Sequence, residues 1–460
     1  MISVVCNNQG LQHSVYEMIR LKFPQYENKG EIFICIQVEK EQVQYHIKID
    51  TRKIQGTFNL PDKELNIHWW IKRIIYQQIQ PFLLEDDGYG ILTGIRPLKL
   101  YRSIFRSNRD PKKVLREQYF VSHEKIELMT SVFRRQEAML QTLGQKSYNI
   151  YIHIPFCPSK CSYCSFDTLV TSHYDISSYV DDLYHEMTRI SKWIQGKPHC
   201  IYIGGGTPSS IPIFYLEKII EKALNLFGNP KEFTVECGRL DTLSNDLIKM
   251  LSDFSVDRIS INPQTFNEKI LKDMNRNFSL KELEKWMEIC WNYGLQSINM
   301  DLILGLPGES RQSMINNIVQ GISLKPQNIT IHKLSIKKGS KLHQDKNINS
   351  KAVLSTQEVY DKMVENEYFP YYLYRQKRIL GSGENLGYSK KDYESIYNIM
   401  VMEELEDVFG FGMGASSKIF YNNNKFFQHT NYRNMRDYHN SLDLIIDEKI
   451  KLIQTRGDSI

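Results

Sequence analysis

From residue 148 onward the chain repeats one unit, a short apolar strand followed by a polar loop and an amphipathic helix. The strands fall at 149–154, 200–205, 232–237, 257–262, 297–304 and 328–334. The helices fall near 175–195, 212–227, 244–252, 279–293 and 310–323. This rhythm constrains the fold more than any other feature of the 460 residues. A helix between two strands carries the chain back across the sheet, so the second strand runs parallel to the first. Parallel strands are covered by those helices and read as apolar runs. The sequence therefore predicts an α/β fold around a parallel sheet.

In such sheets the chemistry sits at the C-terminal ends of the strands. Chemically active residues cluster there in this chain. Cys157, Cys161 and Cys164 follow the first strand with the spacing C-x3-C-x2-C. Three thiolates can hold three irons of a [4Fe–4S] cube and leave the fourth iron open to a small molecule. Structural zinc takes two separated ligand pairs, and no second pair follows. A disulfide leaves one of three cysteines over. Gly204, Gly205 and Gly206 follow the second strand and let the backbone approach a ligand closely; Thr207 and Pro208 then turn the chain into a helix. Glu236 ends the third strand, Gln264 lies just past the fourth, and Asp301 lies within the fifth. Taken singly, the glycines also read as a plain strand-to-helix turn, and each polar residue as a cap or salt bridge. Tyr151 and His153 share a face of the first strand, two residues apart.

The run from Tyr151 to Cys164 resembles the cluster motif of radical S-adenosylmethionine (SAM) enzymes. Its Tyr-x-His-x-Pro-Phe-Cys lead-in and Gly-Gly-Gly-Thr-Pro-Ser at 204–209 are similar to the oxygen-independent coproporphyrinogen III oxidase family. The likeness covers 148 to about 340, and the C-terminal part more loosely. Segments 88–100 and 384–404 resemble the long-N-terminus branch of that family found in Gram-positive bacteria. The resemblance implies a partial (β/α)6 barrel at 148–345, an N-terminal α/β domain at 1–147 and a C-terminal α+β extension at 346–460 on the substrate side. It implies that Cys157, Cys161 and Cys164 ligate a [4Fe–4S] cluster. It assigns S-adenosyl-L-methionine contacts to Tyr151, Tyr163, Gly205, Gly206, Thr207, Glu236, Gln264, Arg276 and Asp301. One departure is Asn262-Pro263 in place of the usual Gly-Val before Gln264.

The implied reaction is oxidative decarboxylation of two propionates of coproporphyrinogen III to the vinyls of protoporphyrinogen IX, in haem biosynthesis. The implied electron source is a reductant such as flavodoxin or ferredoxin. Phe166 stands where well-studied members carry a further cysteine. That departure resembles haem-binding chaperones of the same family, for which His153, His332 and His343 are candidate iron ligands. Another radical-SAM reaction on a tetrapyrrole is a third reading. Tyr371, Tyr372 and Tyr374, with Arg375 and Lys377, read either as a ring-and-cation surface for a tetrapyrrole or as a tyrosine-rich edge strand.

Composition excludes other classes. No apolar run reaches the ~20 residues that span a bilayer. The N-terminus lacks the basic head and apolar stretch of a signal peptide, so a cytosolic location is expected. Cys6, Cys35, Cys200, Cys237 and Cys290 are scattered in strand-like contexts and read as reduced core residues. A net charge of +5 without any basic block gives no nucleic-acid signature. Residues 1–60 read as a small α/β unit with a hairpin across 31–39 and 42–50. Helices are expected at 62–84, with Asp62 near the start, at 111–118, and at 122–143 up to a C-cap at Gly144. Residues 88–102 read as a loop, 409–417 as a glycine-rich turn, and the remainder as polar helix.

Overall fold

A computed structural model describes all residues except 28–29, 61–65, 85, 146, 277, 336–352, 377–382, 423–424 and 458–460. Asp62, His343, Lys377 and the expected boundary at 345 lie outside the described residues. The chain divides into two compact units, Met1–Arg134 and Arg135–Ile460. The first holds a four-stranded sheet ordered β1 (Ile2–Cys6), β2 (Ile32–Val38), β3 (Gln42–Ile49), β4 (Arg52–Asn59). β1 runs parallel to β2, and the other pairs are antiparallel. Helices α1 (Gln9–Lys22) and α2 (Ile67–Ile79) bury Leu11, Val15, Ile71 and Ile75 with Ile34 and Ile47 of the sheet. Helix α2 starts at an Asn66 cap whose side chain accepts from the Trp69 N–H. The loop expected over 88–102 ends early. Pro97 opens helix α3 (Pro97–Arg106), because a fixed φ and a missing N–H suit the first helical position. Helix α4 (Pro111–Tyr119) follows, and the division between units falls within α5 (His123–Leu143).

The second unit begins with β5 (Tyr148–Ile154), then the two-residue strands β6 (Phe156–Cys157) and β7 (Leu169–Val170), which pair with each other. That pairing closes the cysteine loop at its base. The unit continues through α6 (Ile176–Ser191), β8 (Cys200–Gly205), α7 (Ile213–Phe227), β9 (Glu232–Glu236), α8 (Asn245–Asp253) and β10 (Arg258–Ser260). Next come α9 (Glu268–Asp273), α10 (Leu280–Asn292), β11 (Ser297–Leu304), α11 (Arg311–Ser323) and β12 (Asn328–Lys333). Strands β5, β8, β9, β10, β11 and β12 pair in that order, all parallel. The α/β fold and its six strand–helix units thus stand as the sequence implies.

The two faces of this sheet differ sharply. On one, Ile150, Ile152, Ile201, Ile203, Phe233, Val235, Ile259, Ile298 and Met300 pack against Leu183, Ile220, Leu251 and Met287 of the helices. Each such side chain, fully buried, contributes ~1.5–3 kcal/mol. The alternate residues line the other face. They are Asn149, Tyr151 and His153; Tyr202 and Gly204; Glu232, Thr234 and Glu236; Arg258 and Ser260; Asn299 and Asp301; Asn328, Thr330 and His332. One sheet therefore serves as core on one side and as a polar, aromatic lining on the other.

The sheet extends past 346. Helix α12 (Thr356–Val364) leads to β13 (Phe369–Tyr374) and β14 (Asn385–Ser389), which joins β12 antiparallel and leaves β13 at the edge. Helix α13 (Ile396–Glu403) precedes β15 (Asp407–Phe411), β16 (Ser416–Asn422) and β17 (Lys425–Thr430); α14 (Met435–Asn440) and α15 (Leu442–Gly457) end the chain. Two expectations are corrected here. Residues 409–411 form the buried strand β15, parallel to β5, rather than a turn. Gly412 ends it with φ +95°, where any side chain would strike the Tyr179 hydroxyl and the His153 carbonyl. Residues 418–422 and 425–430, expected to be helical, lie in the antiparallel strands β16 and β17.

Candidate functional site

The cysteine loop is fastened to the strand ends by named bonds. Thr207 places its hydroxyl 3.5 Å from the Cys157 sulfur, and its N–H donates to the Phe156 carbonyl at 2.7 Å. The Gly206 N–H donates to the Ile154 carbonyl at 2.7 Å. Gly205 has φ +117°, a conformation reserved for glycine, and a Cβ there would strike the His153 ring. Arg239 reaches Cys161 Sγ at 3.6 Å. Arg276 lies beside Cys161 and Tyr163, and its Nη1 donates to the carbonyls of Gly238 at 3.2 Å and Asn262 at 2.5 Å. Burial pushes the Cys157 and Cys164 thiols up.

The polar lining continues from there. Glu236 accepts from the Tyr202 hydroxyl at 2.5 Å and from the Gly205 N–H at 3.2 Å. Burial raises its carboxyl to about 7, against the pull of the Tyr202 hydrogen bond and with a push from the Asp301 charge. Asp301 behaves oppositely. Burial pushes its carboxyl up, but His332, Asn299 and Thr330 outweigh that and hold it below its usual range. Asn299 Nδ2 donates to Asp301 at 2.9 Å, and His332 Nε2 lies 3.8 Å from its other oxygen. His332 Nδ1 is 3.1 Å from the Tyr374 hydroxyl.

Gln264 adopts φ +68°, strained for a non-glycine residue. Two backbone bonds hold it there: its N–H donates to the Asp301 carbonyl at 3.0 Å, and its carbonyl accepts from Ile303 at 2.8 Å. The departure at 262–263 has a local use, since Asn262 Oδ1 accepts from the Asp301 N–H at 3.1 Å. Tyr151 stacks with Tyr397 at 6.3 Å between ring centres and lies tilted against Tyr202 at 6.1 Å. The named site residues thus fall into neighbouring groups. Thr207 meets Cys157, Arg276 lies beside Cys161 and Tyr163 and binds Asn262, Asn262 meets Asp301, and Glu236 binds Tyr202, whose ring lies beside Tyr151. Sequence reasoning passed over Arg239, Tyr202 and Tyr397. Tyr202 was visible as the residue two before Gly204 on the same face, and Arg239 as a cation three residues past Glu236.

Other sequence candidates have their own settings. His153 directs Nδ1 to the Met413 carbonyl, whereas His332 sits between Asp301 and Tyr374. Tyr371 and Tyr372 are buried in the edge strand β13. All eight cysteines are free of disulfides. No helix among the described residues is long and apolar enough to cross a membrane.

A Radical SAM superfamily model matches residues 151–318. Over 387 residues the chain is 37% identical to the oxygen-independent coproporphyrinogen-III oxidase-like protein HemZ of Bacillus subtilis (strain 168), spanning 80% of this chain and 77% of that one. The chain belongs to the radical SAM superfamily. It is also 29% identical over 276 residues to the heme chaperone HemW of Bacillus subtilis, spanning 58% of this chain and 70% of the relative. The coproporphyrinogen III oxidase HemN of Escherichia coli shares the fold, with a TM-score of 0.53 at 19% identity over 68% of this chain and 74% of that one.

Radical SAM proteins use a [4Fe–4S] cluster and SAM, and the residues present fit both. Among the described residues no three His, Cys, Asp or Glu side chains converge on a point suited to one ion. A cube asks for something different, since its three thiolates bind three separate irons. Two arginines beside Cys161 offset the negative charge of such a cluster. Gln264 Oε1 and Arg276 Nε are buried without a partner among the described residues, so polar capacity remains for a ligand.

Proposed function

We propose that this protein is a radical-SAM oxidoreductase that converts two propionates of coproporphyrinogen III to the vinyls of protoporphyrinogen IX. The observation that carries this reading is the polar face of the sheet. The cysteine loop, Glu236, Gln264 and Asp301 stand at one end of it, and β13 brings Tyr372 and Tyr374 onto that face through Thr330 and His332. When bound, the cluster and SAM supply one-electron chemistry that ends in abstraction of a hydrogen atom. The chain's own part is to bind and orient. Cys157, Cys161 and Cys164 hold the metal. Gly205, Gly206 and Thr207 offer a close backbone edge, and their N–H groups are committed internally, which suits an ammonium that needs carbonyl acceptors. Glu236, Gln264 and Asp301 accept from hydroxyl and amine donors, Arg276 faces a carboxylate, and the Tyr151 and Tyr163 rings line the space. A reductant such as flavodoxin or ferredoxin delivers the electron.

A second reading rests on Phe166. It is 65% exposed and occupies the place of a further cysteine, and relatives named heme chaperones align with this chain. On that reading the protein binds haem without turnover. One anaerobic experiment separates the two. Reconstituted protein receives SAM, reductant and coproporphyrinogen III, while a parallel sample is titrated with haem. Vinyl product with CO2 release supports the decarboxylase. Stoichiometric haem binding with no vinyl product overturns it.

A further inference from the structure

Arg239 belongs to none of the motifs that single out the site, yet it is tied to the cysteine loop from two directions. It lies in the loop after β9 and is 5% exposed. Its Nε and Nη2 fork onto the two carboxylate oxygens of Asp241 at 2.9 and 2.6 Å. Such a bidentate pair fixes the plane of the guanidinium. With that plane fixed, Nη1 is aimed at the cysteine loop. It donates to the Ser159 carbonyl at 3.3 Å, to the Ser159 hydroxyl at 3.1 Å and to Cys161 Sγ at 3.6 Å. Asn275 completes the clamp, since its carbonyl accepts from Arg239 Nη2 at 3.4 Å while its Nδ2 donates to the Lys160 carbonyl at 3.3 Å.

We propose that Arg239 is a positioning residue that sets the reduction potential of the cluster through Cys161. The proposal rests on the reading that Cys157, Cys161 and Cys164 hold that cluster. Reduction adds one electron, supplied by the external reductant, and breaks no bond. The added negative charge spreads over irons and sulfurs, so a fixed cation hydrogen-bonded to a ligand sulfur stabilises the reduced form more than the oxidised form. Burial keeps water from screening or replacing that donor. Lysine cannot substitute fully, because a single ammonium lacks the planar fork that grips Asp241 and reaches Cys161 together. Asp241 acts one step removed, by holding the fork in place.

The test uses the full chain, reconstituted anaerobically, as wild type, Arg239→Gln, Arg239→Lys, Asp241→Asn and Cys161→Ala. Iron and sulfide per chain are measured, and the midpoint is read by dithionite titration followed by electron paramagnetic resonance. The cluster-loaded Arg239→Gln variant is expected to show a reduction equilibrium about tenfold less favourable, which is ~59 mV more negative for one electron. Arg239→Lys and Asp241→Asn are expected to shift the same way by less. A merely structural role changes iron content or stability and leaves the midpoint alone. Loaded Arg239→Gln with the wild-type midpoint overturns the proposal. Should that variant load no iron, the other two carry the test, and wild-type midpoints in both overturn it. Wild type without iron, or Cys161→Ala with a full cluster, defeats the ligand reading itself and this inference with it.

Discussion

Two carboxyls at the same strand ends are set in opposite directions. Glu236 is raised to about 7 from an ordinary 4.5, while Asp301 is held low by His332 and its neighbours. Between those two values of Glu236 the folded chain keeps a proton that the unfolded chain has released. Its contribution to stability is therefore present at low pH and is lost as pH rises through about 7. Glu236→Gln removes the titration. Urea unfolding of wild type and variant across pH 5 to 8 is expected to show a flatter profile for the variant, and two parallel profiles count against the raised carboxyl. Gly205 supports a second prediction. Gly205→Ala forces a side chain into φ +117° against the His153 ring, and strain of this kind costs ~1–3 kcal/mol before any clash is relieved. A lowered urea midpoint with an unchanged slope is the expected readout.

At the level of elements, α13 packs against the polar face at the start of β9. Glu232 of β9 caps it, accepting from the Ser395 hydroxyl at 2.9 Å and from the N–H groups of Ile396 and Tyr397 at 2.9 and 3.0 Å. Arg258 of β10 pairs with Glu232 at 3.3 Å and also binds Ser297, Asn328 and the Tyr393 carbonyl. Tyr397, one residue into the helix, stacks on Tyr202 at 4.3 Å. Glu232→Ala leaves Arg258 buried without its counter-charge, and losses of this type run to ~3–5 kcal/mol. Chemical denaturation measures it, and a loss under ~1 kcal/mol, the range of a surface pair, contradicts the assignment. This docking of α13 was not legible in the sequence. Six βα units show themselves through apolar strand runs and helical spacing, both local signals. What fills the space over a sheet depends on pairings such as Glu232 with Ser395, more than 150 residues apart, which leave no periodic trace. Strand β15 was hidden for a related reason. Gly410 and Gly412 read as turn residues, whereas a side chain on Gly410 would strike the Ser416 backbone and one on Gly412 the Tyr179 hydroxyl, so their small size is a packing need. The site was more legible, because the residues after each strand do share one end of the sheet; Arg239 escaped because its role depends on a fork that only the folded loop supplies.

On the scale of the whole molecule, the site is held by protein bonds that exist before any cofactor arrives. The helix-covered face forms a continuous core, and the cysteine loop is pinned through β6, Thr207, Arg239 and Arg276. Removing the iron by chelation is therefore expected to leave the far-ultraviolet circular dichroism essentially unchanged, unlike small zinc domains that unfold without metal. Loss of most helical signal on chelation contradicts this. A distant tie anchors the end of β15 beside β5. Lys449 of α15 pairs with Glu186 of α6 at 2.6 Å, and Glu186 accepts from the Gly412 N–H at 2.8 Å, next to the Met413 carbonyl that meets His153. The attachment of α13 has a mechanical meaning: because Glu232 of β9 accepts from Ser395 and from the first N–H groups of α13 while Tyr397 stacks on Tyr202, the helix cannot shift without disturbing β8 and β9.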